Sequence, residues 1–405
     1  MFRKYIKKDF IRRKGYLRRM SVFLDKDIIK VLIGQRRVGK SYLFYQLMEH
    51  IIRENSTANI LYINMELPEF QNIKTDGDLL SFISGMETDE SNYLFVDEVQ
   101  EIENYPKALR ALLAKGVWDI WVTGSNAEFL SSDISGSLSG RSISFRIYPL
   151  NYQEFLTFHE LESSDESVEK FLKYGGLPYL RKIGLEDEMV FEYLRNIYNT
   201  ILYKDVIARY NIKKSYFLED LVFFLADNLG SIVSAKKISD YLKSQRTNIP
   251  TNRVIEYLQF LHNSFFIQKV KRYDIQGKRV FNFNEKYFFQ DIGLRNSIVN
   301  YKFADIHKIL ENVVMNHLQS FDYQAYVGSI NGAEIDFIFE KNNEKIYVQV
   351  AYLLASEDTI EREFGNLKKI KDNYPKYVVS MDKFNFSSDE GIIHLNFRKF
   401  LEKKF

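Results

Sequence analysis

Gly34-Gln35-Arg36-Arg37-Val38-Gly39-Lys40-Ser41 is a complete G-x-x-x-x-G-K-[ST] phosphate loop. An apolar run (Ile28, Ile29, Val31, Leu32, Ile33) precedes it and a helical pattern (Tyr42, Leu43, Leu47, Met48) follows, which is the strand–loop–helix context the motif requires. The glycines let the backbone wrap an anion so that successive N–H groups face phosphate oxygens. Lys40 then neutralises the β- and γ-phosphates, and the Ser41 hydroxyl ligates Mg²⁺. The opening helix adds its positive N-terminal end to the same anion. Gly34, Gln35, Arg36, Arg37, Val38, Gly39, Lys40, Ser41 and Tyr42 are the candidate nucleotide-binding set.

A second stretch, Tyr93-Leu94-Phe95-Val96-Asp97-Glu98, is an apolar run that ends in two carboxylates. Buried parallel strands read as continuous hydrophobic runs, and ligands gather at their carboxyl ends. Asp97 is therefore placed to hold Mg²⁺, directly or through water, and Glu98 to polarise a water for attack on the γ-phosphate. The two stretches together predict a site for a nucleoside triphosphate.

A chain of 405 residues suggests about two to four domains. An apolar content of 45% with 27% charged residues is ordinary for a globular protein, and a net charge of +2 demands neither nucleic acid nor a membrane. No apolar run reaches the ~18 residues of a membrane span, and no signal-like apolar region follows the basic start. Cysteine is absent, which excludes disulfides and Cys-based zinc sites and sets a reducing, cytoplasmic location as the expectation.

Residues 1–27 form a basic arm, in which Arg3, Lys4, Lys7, Lys8, Arg12, Arg13, Lys14, Arg18 and Arg19 stand against Asp9 up to residue 20. Such a run is a phosphate-contacting arm, a membrane-surface helix or a solvated helix face. Residues 28–150 alternate strand-like runs (28–33, 59–65, 93–96, 119–123, 142–148) with helical patterns, which predicts βαβ units and a mostly parallel sheet. From 151 to 227 the pattern is helical and aromatic-rich, broken by Tyr174-Gly175-Gly176-Leu177-Pro178, and a lid over the nucleotide is its expected job.

Residues 228–300 look like a winged helix-turn-helix. Ser234 caps one helix, a second carries Val254, Ile255, Leu258 and Leu261, and a hairpin pairs 266–273 with 278–283. The second helix offers DNA Asn252, Arg253 and Gln259 but also Glu256, so base readout is poor. The wing offers Lys269, Lys271, Arg272, Lys278 and Arg279 to phosphates. The alternative is a winged helix used for packing or protein contacts. Residues 301–405 read as a further α/β unit.

The phosphate loop with Arg36-Arg37 inside it, Asp97-Glu98-Val99-Gln100, Thr123-Gly124-Ser125, Gly140-Arg141 and Pro149-Leu150-Asn151-Tyr152-Gln153-Glu154-Phe155 occur in that order. With them the chain resembles prokaryotic AAA-fold P-loop ATPases that carry a winged helix and a C-terminal domain of unknown function related to restriction-endonuclease folds. The resemblance implies ATP as the nucleotide, and no Asn-Lys-x-Asp guanine-reading motif is present. It implies Walker roles for Lys40, Ser41, Asp97 and Glu98 and a γ-phosphate sensor at Ser125 or Asn126. Arg141, in the Ser139-Gly140-Arg141 turn, becomes the candidate arginine contacting phosphate within or between subunits. No second sensor arginine is readable on the lid, so oligomeric activation as a homo-oligomer stays open.

PD-(D/E)xK nucleases place an acid on one strand and D/E-x-K on the next. Here Glu311 lies on the preceding helix and Asp336 on a strand, while Gln349-Val350-Ala351 replaces the second acid by an amide and the lysine by alanine. Two carboxylates and a cation do that chemistry, so a fold without turnover is expected, with Lys368 the candidate substitute lysine. The fold class read from the chain is α/β multidomain: a P-loop NTPase parallel sheet, a helical lid, a winged helix and a C-terminal α/β PD-(D/E)xK-like domain. The leading function is Mg²⁺-dependent ATP hydrolysis coupled to movement of the later domains. The alternatives are a nucleotide-gated switch with negligible turnover and an ATP-licensed nuclease, and DNA contact by the arm and wing is a separate expectation.

Overall fold

The computed structural model describes residues 10–127, 138, 140–213, 215–281, 285–384 and 391–405. Arg3, Lys4, Lys7 and Lys8 of the arm, Ser139 of the expected turn and 282–283 of the expected hairpin lie outside the described residues. The chain divides into two units, residues 1–148 with 263–265, and residues 149–262 with 266–405.

In the first unit, helix α1 (Lys14–Ser21) precedes the parallel strands β1 (Ile29–Ile33), β2 (Asn59–Asn64), β3 (Asn92–Asp97), β4 (Trp118–Gly124) and β5 (Ser142–Arg146), ordered β2-β3-β4-β1-β5. Parallel neighbours need crossovers, and helices α2 (Lys40–Glu54), α3 (Asp76–Ile83) and α4 (Tyr105–Lys115) supply them. Strand side chains alternate between faces. On one face Val31, Ile33, Ile63, Leu94, Val96 and Val122 cluster with Leu79 and Ile83 of α3 and Ala108, Leu109 and Leu112 of α4.

The intervening positions build a ladder of rings on the other face. Phe95 stacks on Trp121 at 6.2 Å, Trp121 on Phe145 at 6.0 Å, and Phe44 of α2 meets Phe95 edge-on at 5.0 Å. Truncating Phe95 or Trp121 to alanine would cost about 3–5 kcal/mol. Lys30 is buried on that face with its ammonium 2.7 Å from Asp119 and 5.6 Å over the Trp121 ring, so its charge enters the core already paired. With both faces covered, ligand access is left to the edges, and the carboxyl ends of β1, β3 and β4 share one of them.

The second unit begins with helices α5 (Tyr152–His159), α6 (Asp165–Tyr174), α7 (Asp187–Thr200) and α8 (Tyr216–Asp227). Asn151 and Glu154 form a reciprocal capping box on α5. The break at Gly175-Gly176 has a steric cause. A Cβ on Gly175 would lie 2.4 Å from Asp291 Oδ1, and one on Gly176 would lie 2.3 Å from the Leu150 carbonyl oxygen. Helices α9 (Ala235–Ser244), α10 (Thr251–Asn263) and α11 (Ile292–Val299) follow. Buried Asp291 caps α11, accepting from Leu294 N–H at 3.1 Å and from Gly176 N–H at 2.7 Å.

Strands β6 (Ile232–Val233), β7 (Ile267–Val270), β8 (Arg272–Asp274), β9 (Arg279–Val280) and β10 (Glu285–Phe289) divide between two sheets. The first is antiparallel, ordered β6-β10-β7. The second, completed by β11 (Gln324–Ile330), β12 (Ala333–Lys341), β13 (Glu344–Val350), β14 (Lys376–Ser380) and β15 (Ile392–Asn396), runs β15-β14-β13-β12-β11-β8-β9. Helices α12 (Ile306–Gln319), α13 (Glu357–Lys368) and α14 (Phe397–Glu402) belong to the same region.

The single hairpin expected from 266–273 and 278–283 is therefore corrected. Its first strand breaks at Lys271, β7 pairs with β10, and β8 pairs with β9 and with β11. An open edge of β11 recruits the β8 backbone, and edge pairing of that kind leaves no periodicity in the recruited strand. No helix among the described residues is long and apolar enough to cross a membrane.

Candidate active site

The loop 34–39 leaves β1 and delivers Lys40 as the first residue of α2. Glycine at 34 is dictated by space, because a Cβ there would stand 2.3 Å from the Ile147 carbonyl oxygen, a backbone atom that cannot yield. Gly39 caps α2 at φ +96°, in the left-handed region glycine adopts without penalty. Arg37, exposed, holds φ +70° and carries the strain of that region. Val38 is buried, and Tyr42 sits half-buried, edge-on to Tyr45 at 5.7 Å. Arg36 is buried and reaches Glu66 at 3.1 Å. The Lys40 ammonium donates to Gly34 O at 2.8 Å and Gln35 O at 3.1 Å, folding across its own loop, and lies 4.0 Å from Glu98.

The two acids follow at the end of β3. Asp97 is buried, accepting from Thr123 Oγ1 at 2.5 Å and Tyr62 OH at 3.0 Å, and it also bonds the Ser41 hydroxyl. Burial and the neighbouring Glu98 charge raise its carboxyl above the ordinary value, against those three hydrogen bonds. Glu98 adopts φ +56°, with its N–H donated to Thr123 Oγ1 at 2.8 Å. Burial pushes its carboxyl up, but the Lys40 and Arg36 charges and hydrogen bonds from Gln100 and Ser125 outweigh it, so the group lies below the ordinary range. Ser125 and Asn126, both buried, follow β4, whose Gly124 is in register with Ile33 just before the loop.

The structure thus brings the loop, Ser41, Asp97, Glu98, Ser125 and Asn126 to one edge. Arg141 is not among them, which corrects the expectation that it reaches phosphate within its own chain. Its carbonyl accepts from Ile29 N–H at 2.9 Å, and Ser142 is in register with Ile29, so Arg141 stands at the amino end of β1 and β5, a strand's length from the loop.

Sequence reasoning left out four contributors. Thr123 and Tyr62 hold Asp97, and Gln100 holds Glu98 through a hydrogen bond from its Nε2. Arg13, counted in the basic arm, is buried and donates to Val38 O at 3.3 Å and Tyr148 O at 2.9 Å, bracing the phosphate loop from behind. Thr123 was findable as the polar end of an apolar strand, and Tyr62 as a buried phenol that needs a partner.

The residues gathered here fit a polyphosphate. The buried Gln35 amide in the loop has neither oxygen nor nitrogen partnered among the described residues, as a group that awaits a ligand would. One hydroxyl and one carboxylate make a donor set that suits Mg²⁺, which keeps several waters.

A second cluster of charge lies in the second unit. Lys286 of β10, buried, reaches Glu334 at 2.8 Å and Glu311 at 3.3 Å and faces Asp336. Gln349 Oε1 accepts the Asp336 N–H at 2.7 Å, and its Nε2 donates to Glu363 at 2.7 Å. Burial raises the carboxyls of Glu311 and Asp336, whereas for Lys286 the three acids outweigh burial and hold the ammonium above its ordinary value. The lysine of this cluster is thus Lys286 and not the expected Lys368. Lys368 is exposed at the end of α13, five positions from Glu363 and so turned to another side of the helix. No group of three or more His, Cys, Asp or Glu among the described residues is arranged to hold a metal ion.

Comparison with known proteins identifies an AAA domain in the chain. A family model described as an AAA domain matches residues 26–156, and one described as a domain of unknown function (DUF8612) matches 165–305. The sequence is 37% identical over 393 residues to an uncharacterised protein of Haemophilus influenzae, covering 95% of this chain and 97% of that one. It is 30% identical over 400 residues to uncharacterised protein MJ1544 of Methanocaldococcus jannaschii, covering 92% and 85%. The chain belongs to the family of these two proteins. Among solved structures the Walker-type ATPase PABY2304 of Pyrococcus abyssi is similar, with TM-score 0.52 and 18% identity, over 72% of this chain and 97% of that one. That likeness is one of fold, and with the AAA match it supports an AAA-type P-loop fold for the first unit.

Proposed function

We propose that this AAA-family protein hydrolyses ATP with Mg²⁺, by attack of water on the γ-phosphorus. The observation that carries the reading is the Ser41–Asp97 hydrogen bond beside the Lys40–Glu98 pair at 4.0 Å, which gathers hydroxyl, carboxylate, ammonium and base at the mouth of the loop. Ser41 and Asp97 would hold Mg²⁺, which when bound offsets phosphate charge. Lys40 exchanges the neutral carbonyls of Gly34 and Gln35 for anionic phosphate oxygens, which are stronger acceptors. Glu98, kept ionised by Lys40 and Arg36, accepts a proton from water as its oxygen bonds to phosphorus. The bond from phosphorus to the bridging oxygen breaks, and ADP departs. Ser125 and Asn126 register the γ-phosphate.

Glu98→Gln tests the base. Nucleotide affinity is expected to stay, with turnover falling about 10²- to 10⁴-fold. Lys40→Ala is expected to abolish binding. Wild-type hydrolysis by Glu98→Gln would remove Glu98 from this role, and tight ATP binding by the wild type with turnover near the uncatalysed rate would favour the switch reading.

For the second unit we read α9 and α10 with sheet β6-β10-β7 as the winged helix, and the region from β11 to β15 as the restriction-endonuclease-like fold. Lys269 is engaged by Glu285 at 2.9 Å, Arg279 by Asp274 at 3.5 Å and Arg253 by Glu256 at 2.5 Å, which favours packing or protein contact over DNA. Lys286 among Glu311, Glu334 and Asp336 supports a role without nuclease turnover, because its ammonium fills the space between the carboxylates that a metal ion would need.

A further inference from the structure

Gln100 lies one residue past the acid pair and has no part in the chemistry described so far. Three observations fix what it can do. The left-handed turn at Glu98 leads into the short 3₁₀ turn Val99–Glu101, which swings Gln100 back so that its Nε2 donates to Glu98 Oε2 and sits 3.4 Å from Ser125 Oγ. The amide cannot be turned over, because that would set its carbonyl against the carboxylate. Its Oε1 is consequently committed to the other side, where it is buried and has no hydrogen-bond partner among the described residues. A buried carbonyl oxygen left unmet beside an anchored base calls for a donor, and the water that Glu98 would activate is a donor the reaction supplies.

We propose that Gln100 is a second water-positioning residue, holding Glu98 through Nε2 and accepting a hydrogen bond from the attacking water through Oε1. The proposal rests on Glu98 being the base. Water presents two hydrogens. One passes to Glu98 as the oxygen–phosphorus bond forms and the bond to the bridging oxygen breaks; the other stays on the product phosphate. Gln100 gains and loses no proton. Its contribution is the angle at which water meets phosphorus, and a misplaced nucleophile is the kind of defect that costs about 10²-fold.

The experiment compares the full-length wild type with Gln100→Ala, Gln100→Met, Glu98→Gln and the double variant Glu98→Gln/Gln100→Met. Each is measured for Kd of fluorescent mant-ATP, for KM and kcat with Mg²⁺·ATP, and for Tm. Gln100→Met keeps the length of the side chain and removes both polar atoms, so it reports even if the alanine variant is poorly folded. Expected is a 10- to 100-fold loss of kcat in both single Gln100 variants, with Kd and KM within two-fold of wild type. Adding Gln100→Met to Glu98→Gln is expected to cause little further loss, because the two groups act on one water. Wild-type kcat in Gln100→Met, a loss confined to KM, or fully additive losses in the double variant would each overturn the proposal. Undiminished turnover in Glu98→Gln would instead strike the base assignment, which keeps the two failures apart.

Discussion

The Thr123 hydroxyl stands between the two acids, accepting the Glu98 N–H at 2.8 Å and donating to Asp97 at 2.5 Å. Thr123→Val keeps the shape and removes both bonds, leaving a buried N–H and a carboxylate each short of a partner at about 1–3 kcal/mol apiece. A lower Tm and a fall in kcat are expected by calorimetry and steady-state kinetics, with Thr123→Ser close to wild type. Asp291 gives a pH-dependent counterpart. Burial, only partly offset by N–H groups of Gly176, Leu294 and Gly293, pushes its carboxyl from 3.8 up to about 6. The folded state therefore binds this proton more tightly, and the stability it contributes is complete below pH 3.8 and lost as pH rises through about 6. Urea unfolding from pH 7 down to 4 should move in favour of the wild type relative to Asp291→Asn. Lys40 and Ser41 were legible because a fixed spacing announces them, and Asp97 because an apolar run ends on it. Arg13 was not, since a basic run is normally solvated and nothing local says that one of its members threads behind a loop.

Among elements, the strands of the first unit could be read from their apolar runs, whereas the partner of β8 could not. Three residues with a single apolar side chain, Tyr273, carry no periodicity to read, and here the edge they pair with is supplied by β11, some fifty residues on in the chain. The C-terminal cluster was half legible. Glu311, Asp336 and Gln349 were visible as a depleted nuclease pattern, but their cation comes from β10, outside the stretch where the pattern predicts a lysine. Lys286→Met should destabilise the protein by about 3–5 kcal/mol, because it leaves buried carboxylates without a counterion. Adding Glu311→Gln should recover part of the loss in chemical denaturation.

At the scale of the molecule, nucleotide linkage distinguishes the two units. Mg²⁺·ATP at a hundred times its Kd stabilises the state that binds it by about 2.7 kcal/mol. Thermal scans should show that gain for the wild type, none for Lys40→Ala, and most of it cancelled when EDTA removes the metal. The second unit is constrained differently. Val270 ends a strand of one sheet, Arg272 begins a strand of the other, and Lys271 alone joins them. A truncation placed after residue 300 would therefore not release a free-standing module. It would strip β8 and β9 of their neighbour, abandon the Lys286 ammonium in a dry interior, and leave both pieces prone to aggregate, so these sheets fold and are lost as one.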